Sequence, residues 1–447
     1  MKIRVEFIIV NLLIVFTAIL YNNQERIKIN DGKGWDGSSY YAITEKIMDD
    51  VEPLSGEYPF IYRVGFPCLV ACVTNYTNLN ILDSAYYINL TGVIILTNLL
   101  YAWLLYFIKN YKIRLVIILM FLFTWHAPLR IIKFYPMLTD IWGSVWLLLC
   151  FHLIYKIKHY STNKRRLYAF VIIFSIIVAI GTLFRESNLA IALGLLFIFN
   201  PLSYNKSVFD SPKSMLNYIQ KMIHKYKTLM PVFFIFPFIF ALIIKYIVTK
   251  NFITEHTIGY AYFDSLIRWI YTRSLPEFLT ATCISYGVFG LLIPYFIWKH
   301  RSILWERQEI AFLLFVFTVL GYVGGTDTER ILYMSTFPIV FVFIGLGIEK
   351  MYNSEQRWWL WILLLINTLP ARVFWYIPNT PSVTNNTPYP IFTLLGTDFQ
   401  YLYLYSHHGN WLLNLLLLIE FLILAFLSIF IIHYKVSLKD IKQFIIQ

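Results

Sequence analysis

The chain has 447 residues, is 58% hydrophobic and 19% aromatic, and carries only 14% charged side chains, against roughly a quarter in soluble domains; its mean hydropathy is +0.62. This balance excludes an ordinary soluble enzyme and predicts a single all-α, polytopic integral membrane domain over residues 1–447. The formal net charge of +12 does not imply a nucleic-acid partner, because the basic residues lie in short runs between apolar spans rather than on one soluble face.

Residues 1–4 supply a basic flank and 5–21 an apolar run. No small-residue cleavage site follows it, so the run reads as an uncleaved signal anchor with its N-terminus in the cytoplasm. The first long polar interval, 22–80, is then extracytoplasmic and contains DGKGWDGSSYYAITEKIMDDVEPLSGEYPFIYRVGFP at 31–67. Cys68 and Cys72, at helical spacing, are read as packing residues rather than a bridge.

A run of about 20 apolar residues crosses a bilayer. On that criterion further spans are expected near 81–108, 115–129, 138–157, 167–184, 188–204, 230–249, 278–298, 309–325, 331–349, 358–372 and 410–433. With the first they make about 12, threaded N-in and C-in. The dense basic runs, including the loop 205–229, then share the cytoplasmic side, as the positive-inside rule requires, while the turn-rich loop 373–409 lies outside. Pro294 and Pro338 fall within spans and are expected to kink them.

Charge at a membrane is costly, so its placement informs. On this threading Asp36, Arg63, Arg130, Lys133, Asp140, Arg185, Glu186, Asp327, Glu329, Arg330 and Arg372 all fall at or near outer ends of spans, which suits one polar cavity at the outer surface. Asp36 is flanked by glycines in GWDGSSYY and reads either as a helix N-cap or as a general base for an acceptor hydroxyl. Tyr40 and Tyr41 follow on the same helix, either as interfacial belt residues or as a sugar-stacking platform. Arg63, in YPFIYRVGFP, either snorkels or faces a lipid phosphate. Arg185 and Glu186 end a span at LFRES with almost no loop to absorb them, and each needs its own partner because sequence neighbours project differently from a helix. Arg330 closes TDTER at the start of another span, and Glu420 lies within the last one, there to bind a lipid or to meet an unidentified donor. No Walker loop, dinucleotide fingerprint, HExxH or GxSxG is present. The isolated His407–His408 pair does not make a metal site, and no cofactor is expected.

The combination of an N-in first span, an outer loop with WDGSSYY, the YRVGFP element and the FRES span end resembles the GT-C superfamily of polytopic glycosyltransferases, which use polyprenyl-phosphate sugars. The resemblance implies a transferase in a membrane, in all expectation the bacterial cytoplasmic membrane, with its active site on the extracytoplasmic side. It implies Asp36 as catalytic base, with Asp31 as the other acidic residue of that loop. Arg63, Arg185 and Arg330 would hold the donor phosphate, and Tyr40, Tyr41, Glu186, Asp140 and Arg130 would bind substrate. The donor would be a polyprenyl-phosphate-linked sugar and the acceptor a glycan, lipid or protein hydroxyl, with inversion at the anomeric carbon and no required metal. An O-antigen-type polymerase or ligase, or a flippase for lipid-linked oligosaccharides, is the competing expectation.

Overall fold

The computed structural model describes residues 2–124, 126–159, 164–198, 230–254, 275–323, 328–351, 358–368, 377 and 411–434. The described chain is helical apart from a two-residue parallel pairing. Helix α1 (Lys2–Leu20) leads into the polar interval, which holds α2 (Asp36–Met48), a 3-10 turn (Phe60–Tyr62) and α3 (Gly65–Thr77). The expected first loop is thus helical. The long α4 (Ile81–Leu104) follows, then α5 (Tyr111–Leu122), α6 (Pro128–Phe134), α7 (Asp140–His159), α8 (Lys164–Thr182) and α9 (Asn188–Ile198). The second half contains α10 (Met230–Thr249), α11 (Leu275–Tyr286), α12 (Phe289–Lys299), α13 (Arg301–Glu306), α14 (Gln308–Val323), α15 (Thr328–Met351), α16 (Trp358–Thr368) and α17 (Trp411–Tyr434).

Among the described residues four helices are long and apolar enough to cross a membrane, or five if α11 and α12 form one bent span. Two segments expected as full spans depart from that expectation. The 115–129 segment stops as a helix at Leu122, while α9 and α16 cover the described parts of the segments expected at 188–204 and 358–372. The 278–298 segment is broken, its halves bent by 89°. The break lies at Gly287, whose φ is +64°, and not at Pro294, which sits inside α12. Only glycine adopts that left-handed turn cheaply, and an added Cβ would also lie 2.3 Å from Asn367 Oδ1.

The outward surfaces are what a bilayer requires. On α1, Val5, Ile8, Leu12, Val15, Phe16 and Ile19 are exposed while Val10 and Ile14 are buried, as is Tyr21 just beyond the helix. On α10, Ile239, Leu242, Ile243, Tyr246 and Ile247 are exposed, and α17 presents a similar apolar face. Contiguous apolar surface on this scale is incompatible with water and suits lipid. The interior is one extended hydrophobic cluster running through α4, α5, α7, α8, α12 and α15, with a smaller one under α2, α3 and α6.

Polar side chains satisfy specific helix ends and backbone defects. Asn80 and Asn110 cap α4 and α5, accepting from Asp83 N at 2.8 Å and Lys112 N at 3.0 Å. Pro338, within α15, has no N–H to offer the Met334 carbonyl one turn back. The Ser144 hydroxyl on α7 donates to that carbonyl instead, at 3.2 Å. Cys68 and Cys72 are free and exposed on α3, so they are not interior packing residues. The loop 205–229 lies outside the described residues, as does 373–409 apart from Ile377, which exchanges two hydrogen bonds with the Gln24 side chain at 2.6 and 3.0 Å.

Candidate functional site

The start of α2 is set by a tight turn and two close approaches. Asn30 Nδ2 donates to Gly34 O at 2.8 Å, and Gly34 N to Ile29 O at 2.9 Å. Gly34 takes a φ of +73°, and a Cβ there would stand 2.4 Å from the Tyr135 ring. A Cβ on Gly37 would stand 2.7 Å from the same ring, and Gly37 N donates to Tyr135 Oη at 2.7 Å. Tyr135 is therefore a post against which both glycines pin the helix start. Asp36 is the first residue of the helix and not its N-cap, a position held by Trp35 without a side-chain bond. Its carboxylate is left pointing away from the capping role, with its side chain 38% exposed.

Four cations from four other segments converge near this carboxylate. Arg330, on the first turn of α15, approaches Asp36 Oδ2 through Nη2 at 3.3 Å and Asp140 Oδ2 through Nε at 3.5 Å. Asp140, the first residue of α7, also pairs with Arg185. The Ser144 bond to Met334 sets this register, since Ser144 lies one turn after Asp140 and Met334 one turn after Arg330. Arg185 lies across Gly143, where a Cβ would be 2.7 Å from its Cγ. Any larger residue there would displace the guanidinium.

Arg63 follows the 3-10 turn and is fixed from behind. Gly65 N donates to Leu183 O at 2.9 Å, and Gly65 packs so closely on Phe184 that a Cβ would lie 2.7 Å from its ring. Arg63 Nε then reaches Glu186 Oε2 at 2.9 Å, and Nη1 donates to Tyr40 Oη at 3.1 Å. Glu186 Oε1 faces Lys245 of α10 at 3.6 Å. The chain beyond α10 pairs Ile253 and Thr254 with Ser55 and Gly56, which fastens that helix end to the segment carrying Arg63.

The result is a mixed cluster of Asp36, Asp140 and Glu186 with Arg63, Arg185, Arg330 and Lys245, carrying one excess positive charge. Arg63 and Lys245 overcome the burial that would otherwise raise Glu186, and hold its carboxyl below the usual range. Burial and the neighbouring Arg63 and Arg330 guanidiniums pull Arg185 down to about 10. Such a cation is poorly compensated, and an added anion would relieve it. Arg185 Nε and Glu186 Oε1 make no hydrogen bond among the described residues.

Of the sequence-expected residues, Asp36, Tyr40, Arg63, Asp140, Arg185, Glu186 and Arg330 are brought together. Arg130 is not. It is fully buried, donates to Thr124 O at 3.3 Å and stacks over Tyr21 at 5.6 Å. Tyr41 faces away with the Lys33 ammonium 4.1 Å over its ring. Asp31 sits exposed in the preceding turn with a φ of +54°, in no ion pair among the described residues. Asp327, Arg372, His407 and His408 lie outside the described residues. Lys245 was missed, although a lone lysine in FALIIKYIVT is a visible signal. Among the described residues no group of three or more His, Cys, Asp or Glu side chains is placed to hold a metal ion. No family model, curated protein or solved structure matches the chain.

Proposed function

We propose that the chain is a multi-pass membrane glycosyltransferase that moves a sugar from a polyprenyl-phosphate donor to a hydroxyl acceptor at the extracytoplasmic face, with inversion. One observation carries this reading. A half-exposed carboxylate, Asp36, stands at the rim of a buried cluster with excess positive charge, at the end of helices whose outer faces suit lipid.

In the proposed reaction Asp36 takes the proton of the acceptor hydroxyl as that oxygen bonds to the anomeric carbon, and the bond from that carbon to the lipid phosphate breaks. The leaving phosphate gains charge as the bond cleaves. Arg330, Arg185 and Arg63 are already oriented by Asp140, Glu186 and Tyr40, so they favour that charge without reorganising. Arg330 touches both Asp36 and Asp140 and so couples the base to the phosphate side. A carboxylate without nearby cations could accept a proton but would do nothing for the departing group.

The orientation draws support from the opposite pole. Lys156 and Lys158 end α7, Arg165 and Arg166 begin α8, and Lys299, Arg301, Arg307 and Lys350 lie at the same ends of their helices. Basic flanks of this density favour the cytoplasm, which supports reading the mixed cluster as extracytoplasmic; the proposed setting is a bacterial cytoplasmic membrane. An N-in, C-in threading through about 12 spans accommodates both poles.

A lipid-linked oligosaccharide flippase would need ionisable groups continuing between the poles, and a polymerase or ligase would share the cations without needing Asp36 as base. The deciding experiment supplies purified Asp36→Asn protein in lipid nanodiscs with a polyprenyl-phosphate sugar and acceptor membranes. Transfer is expected to fall by at least about 100-fold with the protein still folded. Transfer at the parental rate overturns the mechanism, and movement of lipid-linked glycan across vesicles without a new glycosidic bond establishes the flippase.

A further inference from the structure

Lys245 occupies a seam. Its helix neighbours Leu242, Ile243, Tyr246 and Ile247 are exposed on the apolar face of α10, while its own side chain, 21% exposed, turns to the cluster. An ammonium in an apolar helix is retained at a cost, so it requires a compensating partner. Glu186 supplies only part of one. The 3.6 Å separation is an ion pair without a hydrogen bond, Glu186 Oε2 is already committed to Arg63, and Glu186 is shared between two cations. The Lys245 ammonium also lies over the Tyr62 ring, at 5.9 Å. Beyond the long, shared pairing with Glu186 the ammonium keeps donor capacity to offer, whereas the arginines of the cluster are engaged by carboxylates.

From this placement we infer that Lys245 receives the phosphate of a membrane-held polyprenyl phosphate as it arrives sideways over α10, ahead of the arginines. A lipid travelling in the leaflet meets the exposed face of α10, and the first cation its headgroup reaches is the one at the seam. Lys245 is suited to capture, as a compact point charge on a flexible stem, whereas Arg63, Arg185 and Arg330 are held in fixed geometry for the later charge development. The pairing of Ser55 and Gly56 with Ile253 and Thr254 keeps this helix end beside the Arg63 segment, so a captured phosphate has a short path inward.

The inference deepens the transferase reading and borrows from it the lipid around α10, but its test does not need catalysis. Binding of a polyprenyl monophosphate to the full chain in nanodiscs is measured by native mass spectrometry or a labelled-lipid assay, with inorganic phosphate as competitor. Lys245→Met is expected to weaken binding by about 10-fold or more, the scale of one charge-assisted hydrogen bond. Lys245→Arg restores it, Asp36→Asn does not weaken it, and millimolar inorganic phosphate competes poorly. In turnover Lys245→Met raises the donor KM while kcat stays within about threefold of the parent. A Lys245→Gln protein serves if the methionine variant does not fold. Parental binding by the folded Met or Gln variant overturns the inference, and so does equal occupancy by inorganic phosphate, which would make this a site for free anion. If Asp36→Asn transfers normally while Lys245→Met loses lipid binding, the transferase reading fails and the lipid-phosphate site stands.

Discussion

Asp36 and Arg330 are 294 positions apart in the chain and meet at 3.3 Å, with Arg330 also spanning to Asp140. The contact joins the first polar loop to a helix in the last third of the sequence, and it makes the proposed base and the proposed phosphate-side cations one unit. Arg330→Gln is accordingly expected to lower kcat by about 10²- to 10³-fold, as for removal of a preorganised donor, with little change in donor KM. In a double-mutant cycle with Asp36→Asn the two losses should overlap, leaving a coupling of roughly 0.5–3 kcal/mol. Steady-state kinetics of the four proteins measure it. Losses that simply multiply would mean that the two residues act independently.

The membrane class and the main actors of the cluster were legible because charge in an apolar chain is expensive and therefore conspicuous: Arg63, Arg185, Glu186 and Arg330 each interrupt or bound an apolar run, and Asp36 stands in the first long polar interval. Their pairing was not legible. That Arg63 takes Glu186 while Arg185 takes Asp140 follows from Gly65 docking on Phe184 and Gly143 admitting the Arg185 stem, and glycine spacing does not announce its partner. Arg130 was misassigned for a related reason. Hydropathy places a residue at the end of a span but says nothing of its direction, and Arg130 points inward to Thr124 and Tyr21. Lys245 was passed over because a single cation barely changes the mean of a 20-residue window. A kink in the 278–298 segment was expected at Pro294, whereas the break lies at the left-handed Gly287.

The post formed by Tyr135 gives a second expectation, on the stability of the site's geometry. Gly37→Ala places a methyl 2.7 Å from the Tyr135 ring and 2.8 Å from Met137 Cβ, both buried, so α2 must shift. The cost should be about 1–3 kcal/mol, as for overpacking, with transfer activity falling alongside because Asp36 moves with the helix start. Tyr135→Phe keeps the post and removes only the bond from Gly37 N, for roughly 0.5–1.5 kcal/mol. Thermal unfolding in detergent orders the two variants. Equal effects would show that the hydroxyl, and not the close approach, positions α2.

The depressed Glu186 carboxyl has a pH signature with a defined sign. A carboxyl held lower in the fold than in the unfolded chain adds stability above its unfolded pKa, roughly 4.3, and loses that contribution as pH falls through the folded value. The stability advantage of the parent over Glu186→Gln should therefore be constant from pH 7 to 5 and shrink only below about pH 4.3. Paired melts across pH 3.5–7.5, in roughly half-unit steps, follow it. An advantage that already fades between pH 7 and 5 would mean that burial outweighs Arg63 and Lys245.

At the pole opposite the cluster, a different ion pair makes a prediction about stability alone. Glu6 near the start of α1 and Arg114 in the first turn of α5 pair at 2.7 Å with side chains only 6% and 7% exposed. Arg114 also donates to Ile108 O at 2.7 Å and Lys109 O at 2.8 Å, and the Tyr101 hydroxyl donates to Glu6. The network clips α1, α4 and α5 together, and none of its members contacts Asp36 or the cations around it. Removing one charge strands the other in a low-dielectric interior, so Arg114→Met should destabilise by about 3–5 kcal/mol. Glu6→Leu combined with Arg114→Met buries apolar groups in place of both charges and should cost less than Arg114→Met alone. Thermal melts of the single and double variants, alongside kcat of the folded fraction, test both statements. The double variant should turn over at the parental rate, because this clip holds the bundle and not the reacting groups; a loss of kcat in protein that is still folded would mean that the two poles are mechanically coupled.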